Sequence, residues 1–271
     1  MCRLFGFRSN VPGRVHRSLV LEKNSLVVQS REHKDGWGIA SYGDVPEPVV
    51  AHGLGAAHED PEFERVSSLV DSHAVVAHVR LASVGPIAPY NAHPFVHGRW
   101  AFAHNGTLRE FDKHQAEVEQ RIAPKYRPLV RGDTDSERCF YLFLTYLDEA
   151  VPGRTPTARE VAQALARVTR EMSALTHNPE LKPSSMNFLV SDGELLVATR
   201  RNRTLFFSEH KKKKTDNAEP PREGTKLSQL VIASEELSFE DHWHEVPEDG
   251  VIGLERDMTL RYWTINDLTA G

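Results

Sequence analysis

The chain has few cysteines, no long apolar run and no large excess of charge of either sign. Its two cysteines, Cys2 and Cys139, are far apart in sequence, which argues against a disulfide framework. No apolar run reaches the roughly 18 residues that a membrane-spanning helix needs. A formal net charge of -5 over 271 residues gives no electrostatic reason to expect a nucleic acid or an anionic membrane as a partner.

Histidine is abundant, but its distribution does not indicate a metal site. The fourteen histidines are scattered without the paired spacing of zinc ligands, so we expect neither a metal nor another cofactor. The N-terminus lacks a basic region followed by an apolar core and a cleavage site. With 39% hydrophobic residues, the composition is that of a soluble, cytoplasmic, globular protein, and we find no clear linker between two cores over residues 1–271.

Cys2 is the first candidate catalytic residue. It follows the initiator methionine and is small enough for that methionine to be removed, which would leave a thiol and a free α-amine on one residue. Such an amine titrates at about 7.7 to 8.0 and a thiol near 8.5, so the amine can accept the thiol's proton. A frayed terminus is the competing interpretation. However, Arg3-Leu4-Phe5-Gly6-Phe7 predicts a strand that would hold this cysteine in a sheet.

Three further motifs precede residue 100. Asp35-Gly36-Trp37-Gly38 is a glycine-rich loop that opens into a strand, and it could equally be a turn with one anchoring aromatic residue. The buried strand Ala74–Arg80 ends in an arginine, which is either a cation facing an anion or a surface residue in a salt bridge. His93, at the end of the loop over residues 81–94, is more typical of a structural residue than of a catalytic one.

Asn105-Gly106 ends a predicted strand that begins at Trp100. Asn-Gly often marks a two-residue hairpin. The following Thr107-Leu108-Arg109-Glu110 instead predicts a capping box and a helix over residues 108–122, so the pair is expected to join a strand to a helix. The amide of Asn105 and the N–H of Gly106 could then converge on a developing oxyanion.

Thr134-Asp135-Ser136-Glu137 predicts another capping box, at the start of a buried helix over residues 138–149. Asp135 lies in its first turn, where a carboxylate is favourable by about 0.3 to 1 kcal/mol. This is a sufficient structural reason for the residue. Cys139, on the same apolar helix, is interpreted as a small core side chain.

The remaining pattern predicts mixed helices and antiparallel strands, which is an α+β class. Helices are expected over residues 15–29, 61–70 and from a capping box at Thr157-Ala158-Arg159-Glu160 onward, and strands dominate after Ser185. Residues 210–226 carry four consecutive lysines and are predicted to be a flexible, solvated loop. A basic docking patch is the alternative interpretation of that loop.

Taken in order, these motifs resemble those of the class II glutamine amidotransferases, and most of all their short, stand-alone branch. The resemblance covers most of the chain, is strongest over residues 1–140 and is weak beyond residue 208. It implies a single domain over residues 1–271 with the N-terminal-nucleophile fold, a four-layer αββα sandwich of two antiparallel sheets between helices.

The same resemblance implies roles for individual residues. Cys2 would be the nucleophile, with its own α-amine as acid and base, and Asn105 with Gly106 would form the oxyanion hole. Arg80 would bind the α-carboxylate of the substrate and Asp135 its α-ammonium. Three further residues match positions that shape the substrate site, without an assigned chemical role: Asp35, Trp37 and His93.

The resemblance predicts a glutamine amidotransferase or amidohydrolase that cleaves the γ-amide of glutamine, or of a γ-glutamyl compound, through a thioester on Cys2. After Arg80 the chain reads Leu81-Ala82-Ser83-Val84, unlike the synthase-linked enzymes, and no second domain is expected to accept ammonia. The acceptor would therefore be a separate synthase subunit or water. A γ-glutamyl peptide hydrolase and a non-catalytic glutamine-binding subunit remain alternatives, and a cysteine protease using His93 or His104 as base is disfavoured.

Overall fold

Two antiparallel β-sheets, packed face to face, form the centre of the molecule. The computed structural model describes residues 2–209 and 219–270. Its strands in chain order are β1 (Arg3–Arg14), β2 (Trp37–Ser41), β3 (Val49–Gly53), β4 (Asp71–Val79), β5 (Phe95–His97), β6 (Trp100–Thr107), β7 (Ser185–Ser191), β8 (Leu196–Thr199), β9 (Phe206–Ser208), β10 (Gln229–Ala233), β11 (His244–Glu245), β12 (Gly250–Leu254) and β13 (Leu260–Thr264). The first sheet has the order β11-β9-β10-β1-β4-β2-β3, and the second has the order β13-β12-β8-β7-β6-β5.

Helices cover the outer faces of both sheets. They are α1 (Leu26–Gln29), α2 (Pro61–Leu69), α3 (Phe111–Arg121), α4 (Asp135–Ala150), α5 (Ala158–Leu175) and α6 (Ile265–Thr269), with single turns at Arg17–Leu21, Pro89–Asn91 and Arg127–Leu129. The helices α1 and α2 lie on the first sheet, and α3 to α6 lie on the second. The expected four-layer αββα sandwich of class α+β is therefore confirmed.

Alternation along the strands divides the core into three layers. Leu4, Val76 and Ala103 point into the space between the sheets, whereas their neighbours Phe5 and Ala77 point outward to the helices on the first sheet. The buried leucine, isoleucine and valine side chains between the sheets each contribute about 1.5 to 3 kcal/mol by leaving water. The layer between the sheets is the one that reaches the N-terminus.

The helix predicted over residues 15–29 is wrong as one continuous element. The chain forms a single turn at Arg17–Leu21, leaves helical geometry at Glu22 and restarts as α1. The carboxylate of Glu22 accepts a hydrogen bond from Arg17 at 2.5 Å, and Ser25 caps the second helix by accepting one from Val28 N at 3.4 Å. These local polar contacts end one helical turn and begin the next.

The corner predicted at Asn105-Gly106 is also wrong. Both residues lie inside β6, opposite Asn187 and Met186 of β7. The capping box predicted at Thr107 does not form, because Glu110 is the N-cap of α3 and adopts a left-handed conformation with φ 51° and no side-chain cap. Strand pairing with β7 outweighs the local turn preference of an Asn-Gly pair.

The other two predicted capping boxes form to different extents. At α5 both halves of the predicted box are present, between Thr157 and Glu160. At α4 the hydroxyl of Thr134 accepts a hydrogen bond from Glu137 N at 3.2 Å, but the carboxylate of Glu137 binds the N–H groups of Arg131 and Gly132 instead of returning to Thr134. Only half of that predicted box therefore forms.

The predicted loop over residues 210–226 lies partly outside the described residues, which exclude 210–218. Its remaining part runs beside β13, where Tyr262 donates to the carbonyl of Pro221 (3.0 Å) and Gly224 N donates to Leu260 O (2.9 Å).

Within the described ranges, none of the helices is both long and apolar enough to span a membrane, and no three His, Cys, Asp or Glu residues are arranged to bind a metal ion.

Candidate active site

Cys2 lies at one end of the sandwich, just before β1. Because Leu4 points between the sheets, Cys2 points to the same interior, and it is 8% exposed. Its thiol donates a long hydrogen bond to the carbonyl of Leu81, at 3.5 Å. Burial raises the pKa of the Cys2 thiol, while the charge of Arg80 acts in the opposite direction. The predicted strand is present as β1, and Cys2 lies directly before its first residue.

Arg80 follows β4 and also points between the sheets. Its main chain pairs with the loop before β2, since Arg80 N donates to Gly36 O (2.8 Å) and Arg80 O accepts from Asp35 N (2.9 Å). Its guanidinium donates to the carbonyls of Val84 and Pro86, both at 3.0 Å. In the described part of the chain no carboxylate lies within ion-pair distance of Arg80, so no ion pair neutralises its charge.

Asp35 and Trp37 act in different places although they are neighbours in sequence. The carboxylate of Asp35 accepts a hydrogen bond from Ala82 N at 2.8 Å and so fixes the chain just after Arg80. Trp37 points to the outer face of the first sheet, where its indole donates to Asp60 (2.7 Å). The structure places Asp35 beside the site and Trp37 in the core beneath it.

Asn105 points between the sheets from β6. Its Nδ2 donates to Ser234 Oγ at 3.1 Å, and the same hydroxyl accepts from Leu4 N at 3.0 Å. The amide oxygen of Asn105 is buried and has no hydrogen-bond partner among the described residues. One N–H of the amide is therefore held in place by Ser234, which fixes the orientation of the other. Ser234 follows β10, and no sequence pattern marks it as a site residue.

Gly106 presents its N–H away from β7. Met186, opposite Gly106, donates its own N–H to Arg201 O (2.9 Å) on the β8 side, so the two residues form a pair without mutual hydrogen bonds. The N–H of Gly106 then points to the other side of β6, where β5 pairs only as far as Phe102. A side chain is excluded here, because a Cβ on Gly106 would lie 1.9 Å from Ser185 O.

Asp135 is the first residue of α4 and is 3% exposed. One oxygen accepts from Leu108 N at 2.7 Å, and the other accepts from Ser136 N at 2.8 Å. The contact to Leu108 ties the helix to the chain two residues after Gly106. No cation pairs with Asp135 in residues 2–209 or 219–270, so its charge, like that of Arg80, is not neutralised by an ion pair.

His93 belongs to a group of buried histidines near these residues. Its ring stacks on His78 with centroids 4.2 Å apart, and neither of its ring nitrogens has a hydrogen-bond partner in the described chain. Burial lowers the pKa of His78 to about 3 and the pKa of His93 well below its ordinary value. His104 is hydrogen-bonded at both nitrogens, to Ser136 Oγ (2.8 Å) and Ser185 O (3.1 Å). These rings are neutral and packed, and none is hydrogen-bonded to Cys2.

Gly38, the second glycine of the Asp35-Gly36-Trp37-Gly38 motif, explains how this motif and the chain at His93 come together. A Cβ on Gly38 would lie 2.0 Å from the carbonyl oxygen of His93 and 2.5 Å from the ring of His52. Glycine on β2 therefore lets the chain at His93 approach the first sheet and place its ring on His78.

Comparison with known proteins shows the family and the fold of this chain. A sequence profile of the class-II glutamine amidotransferases matches residues 1–264. A probable glutamine amidotransferase of Saccharomyces cerevisiae is 26% identical over 98% of this chain and 85% of its own length. A gamma-glutamyl-hercynylcysteine sulfoxide hydrolase of Mycobacterium tuberculosis is 26% identical over 83% of this chain and 78% of its own length. Among solved structures, a glutamine aminotransferase class-II domain protein from Silicibacter pomeroyi has a TM-score of 0.64 at 21% identity and covers 97% of this chain and 99% of that chain.

The fold is thus that of the N-terminal-nucleophile amidotransferases. Within that fold, the chain belongs to the class II glutamine amidotransferase family. Members of this family act on the amide bonds of glutamine or of γ-glutamyl compounds.

Proposed function

We propose that the protein hydrolyses or transfers the γ-amide of glutamine or of a γ-glutamyl compound through a thioester on Cys2. The observation that supports this most strongly is convergence. Four groups lie at one end of the sandwich. They are a thiol at the start of β1, an unpaired cation at the end of β4, an amide donor at the end of β6 and an unpaired carboxylate at the start of α4.

The two unpaired charges suit the head group of a glutamyl substrate. Arg80 would bind the α-carboxylate through its guanidinium, and Asp135 would bind the α-ammonium. The charges of both residues act on the pKa of the Cys2 thiol, which Arg80 lowers and Asp135 raises, and this supports a common site. A substrate held at both charges has its γ-carbonyl directed to the sulfur.

The chemistry needs a base in contact with Cys2, because burial raises the pKa of its thiol. No side-chain base is hydrogen-bonded to that thiol in the described chain, and its hydrogen bond goes to Leu81. The α-amine of Cys2, exposed by loss of Met1, would take the thiol's proton.

The proposed reaction passes through a thioester on Cys2. The sulfur of Cys2 forms a bond to the γ-carbon, and the resulting oxyanion is bound by the Nδ2 of Asn105 and the N–H of Gly106. The C–N bond breaks, and the amine leaves with the proton held by the α-ammonium of Cys2. Water then attacks the thioester, releasing glutamate and the free thiol.

A matched pair of variants tests the proposal. Cys2→Ala should abolish glutamate release from glutamine, whereas Cys139→Ala, which removes a fully buried thiol within α4, should retain it. Full activity of Cys2→Ala would end the proposal. If the native chain binds glutamine but does not turn it over, a non-catalytic binding subunit would be favoured.

A γ-glutamyl peptide hydrolase is the second candidate, and the name of the mycobacterial relative favours it. Comparing glutamine with γ-glutamyl peptides separates the two, because preference for glutamine would exclude the peptidase. If glutamine is preferred, turnover with and without candidate synthases distinguishes transfer of ammonia to a separate synthase subunit from simple hydrolysis.

A further inference from the structure

Two arginine side chains at the catalytic end of the sandwich, Arg109 and Arg203, have no ion-pair partner in the described part of the chain. The Nε atoms of both are buried, and neither has a hydrogen-bond acceptor there. A buried donor of a charged group is costly when it is unpaired, so such atoms point to a ligand that supplies the acceptor. The proposed reaction does not use either residue.

Arg203 is held beside the proposed oxyanion hole. It lies on the turn between β8 and β9, and Asn187 holds this turn on both sides, with Nδ2 donating to Thr204 O (2.9 Å) and Oδ1 accepting from Arg201 N (2.8 Å). Asn187 is the residue of β7 directly opposite Asn105. The turn that carries Arg203 is therefore fixed next to Asn105.

Arg109 is tied to the same region through a shared serine. Its main-chain N–H donates to Ser184 Oγ (2.9 Å), and Ser184 O accepts from Asn202 Nδ2 (2.7 Å). Burial lowers the pKa of Arg203, and the nearby charges of Arg109 and Arg3 lower it further. Cations that repel one another in a partly buried place form a field that favours an anion.

Arg203 and Arg80 lie on opposite sides of β1, the strand that follows Cys2. In the first sheet β1 is flanked by β4, which leads to Arg80, and by β10, which leads to Glu235. Glu235 accepts a hydrogen bond from Thr204 Oγ1 (3.3 Å), the residue after Arg203, and forms an ion pair with Arg3 (3.2 Å). A substrate bound at Arg80 would thus extend past the sulfur toward the second cationic group.

We propose that Arg109 and Arg203 form an anion site for a carboxylate on the amine side of the scissile bond. The substrate class is then γ-glutamyl amino acids and peptides rather than glutamine, whose leaving ammonia has no group to reach this site. A guanidinium fork matches a carboxylate in shape and charge. The inference rests on the proposed function, in which Arg80 holds the glutamyl α-carboxylate.

The test compares γ-glutamylglycine with γ-glutamylglycinamide, which differ by one carboxylate. The native enzyme should show a kcat/KM at least about tenfold higher for the acid, and Arg109→Gln and Arg203→Gln should each reduce that ratio by roughly tenfold. Arg201→Gln is the matched control, because Arg201 lies on the same turn and its Nε is likewise buried without an acceptor in the described chain, but its guanidinium is already ion-paired with Asp249. It should keep the native ratio.

The outcomes separate this inference from the proposed function. Equal kcat/KM for the two compounds in the native enzyme would overturn the inference and leave glutamyl hydrolysis standing. If no compound is turned over, calorimetric binding of the same pair to Cys2→Ala still decides the inference, whereas the lack of turnover counts against the proposed function alone. The comparison in the native enzyme needs no variant, so a misfolded substitution cannot obscure it.

Discussion

Replacing Ser234 with alanine should lower kcat while leaving KM nearly unchanged. The Ser234 hydroxyl is buried and accepts hydrogen bonds from Leu4 N (3.0 Å) and from Asn105 Nδ2 (3.1 Å). Its removal leaves two buried donors unpaired, at a cost of about 1 to 3 kcal/mol each in the free energy of unfolding. The catalytic effect arises because the amide of Asn105 loses the contact that orients it.

The size of that effect is bounded by the direct loss of the donor. Removing an oxyanion donor costs on the order of 10² to 10³ in kcat, which is the loss we expect for Asn105→Ala. Ser234→Ala keeps the donor but frees its rotation, so we expect a loss of roughly tenfold to a hundredfold. Ser234 has no hydrogen bond to Arg80 or Asp135, the groups proposed to bind the substrate, and KM should therefore stay within about twofold.

The assay is glutamate release at varied substrate concentration, combined with urea unfolding of the same samples. Ser234→Thr keeps the hydroxyl and serves as the control, with kcat nearer to that of the native enzyme. If Ser234→Ala loses stability but retains native kcat, the orienting role of the hydroxyl is refuted. A rise in KM at constant kcat would instead assign Ser234 to substrate binding.

Three other predictions concern the surroundings of the site. In the folded chain the pKa of His78 is lowered to about 3, so below pH 6.5 the unfolded chain binds more protons than the folded chain. The free energy of unfolding should therefore fall as the pH falls from 6.5, by up to about 1.4 kcal/mol per pH unit from this residue. A flat profile in urea unfolding between pH 7 and pH 4 would contradict this. Gly38→Ala should lower the melting temperature markedly, because its Cβ would meet the carbonyl of His93 at 2.0 Å. Gly43→Ala should not, because a Cβ there would have no atom of the described chain within 4 Å, and equal melting curves for the two variants would refute the packing argument. Asp35→Ala removes the acceptor that fixes the chain after Arg80 and should raise KM for the glutamyl substrate about fivefold to tenfold in the glutamate-release assay, so an unchanged KM would count against that role.

Sequence reasoning succeeded where the signal is local. The strand predicted after Cys2, the strand predicted over residues 74–80 and the helix predicted over residues 138–149 each have their own apolar pattern. The structure contains them as β1, β4 and α4, with bounds that differ by a few residues. The four-layer fold followed from the family resemblance rather than from periodicity, which indicated only mixed helix and antiparallel strand.

The failures have physical causes. Asn105-Gly106 has the composition of a turn, yet glycine is required there because Ser185 O approaches within 1.9 Å of where a Cβ would lie. Ser234 gave no sequence signal, since it is a serine after an ordinary strand and meets Asn105 across 129 positions of the chain. A single sequence does not encode such long-range contacts in any local pattern.

The central claim is that Cys2 acts as nucleophile beside its own α-amine. An intact-mass spectrum of the protein after reaction with a glutamine-analogue electrophile, followed by peptide mapping, tests it most directly. The account predicts a chain that lacks Met1 and carries one adduct, on Cys2. An active enzyme that retains Met1, or an adduct on Cys139 with Cys2 unmodified, would contradict it.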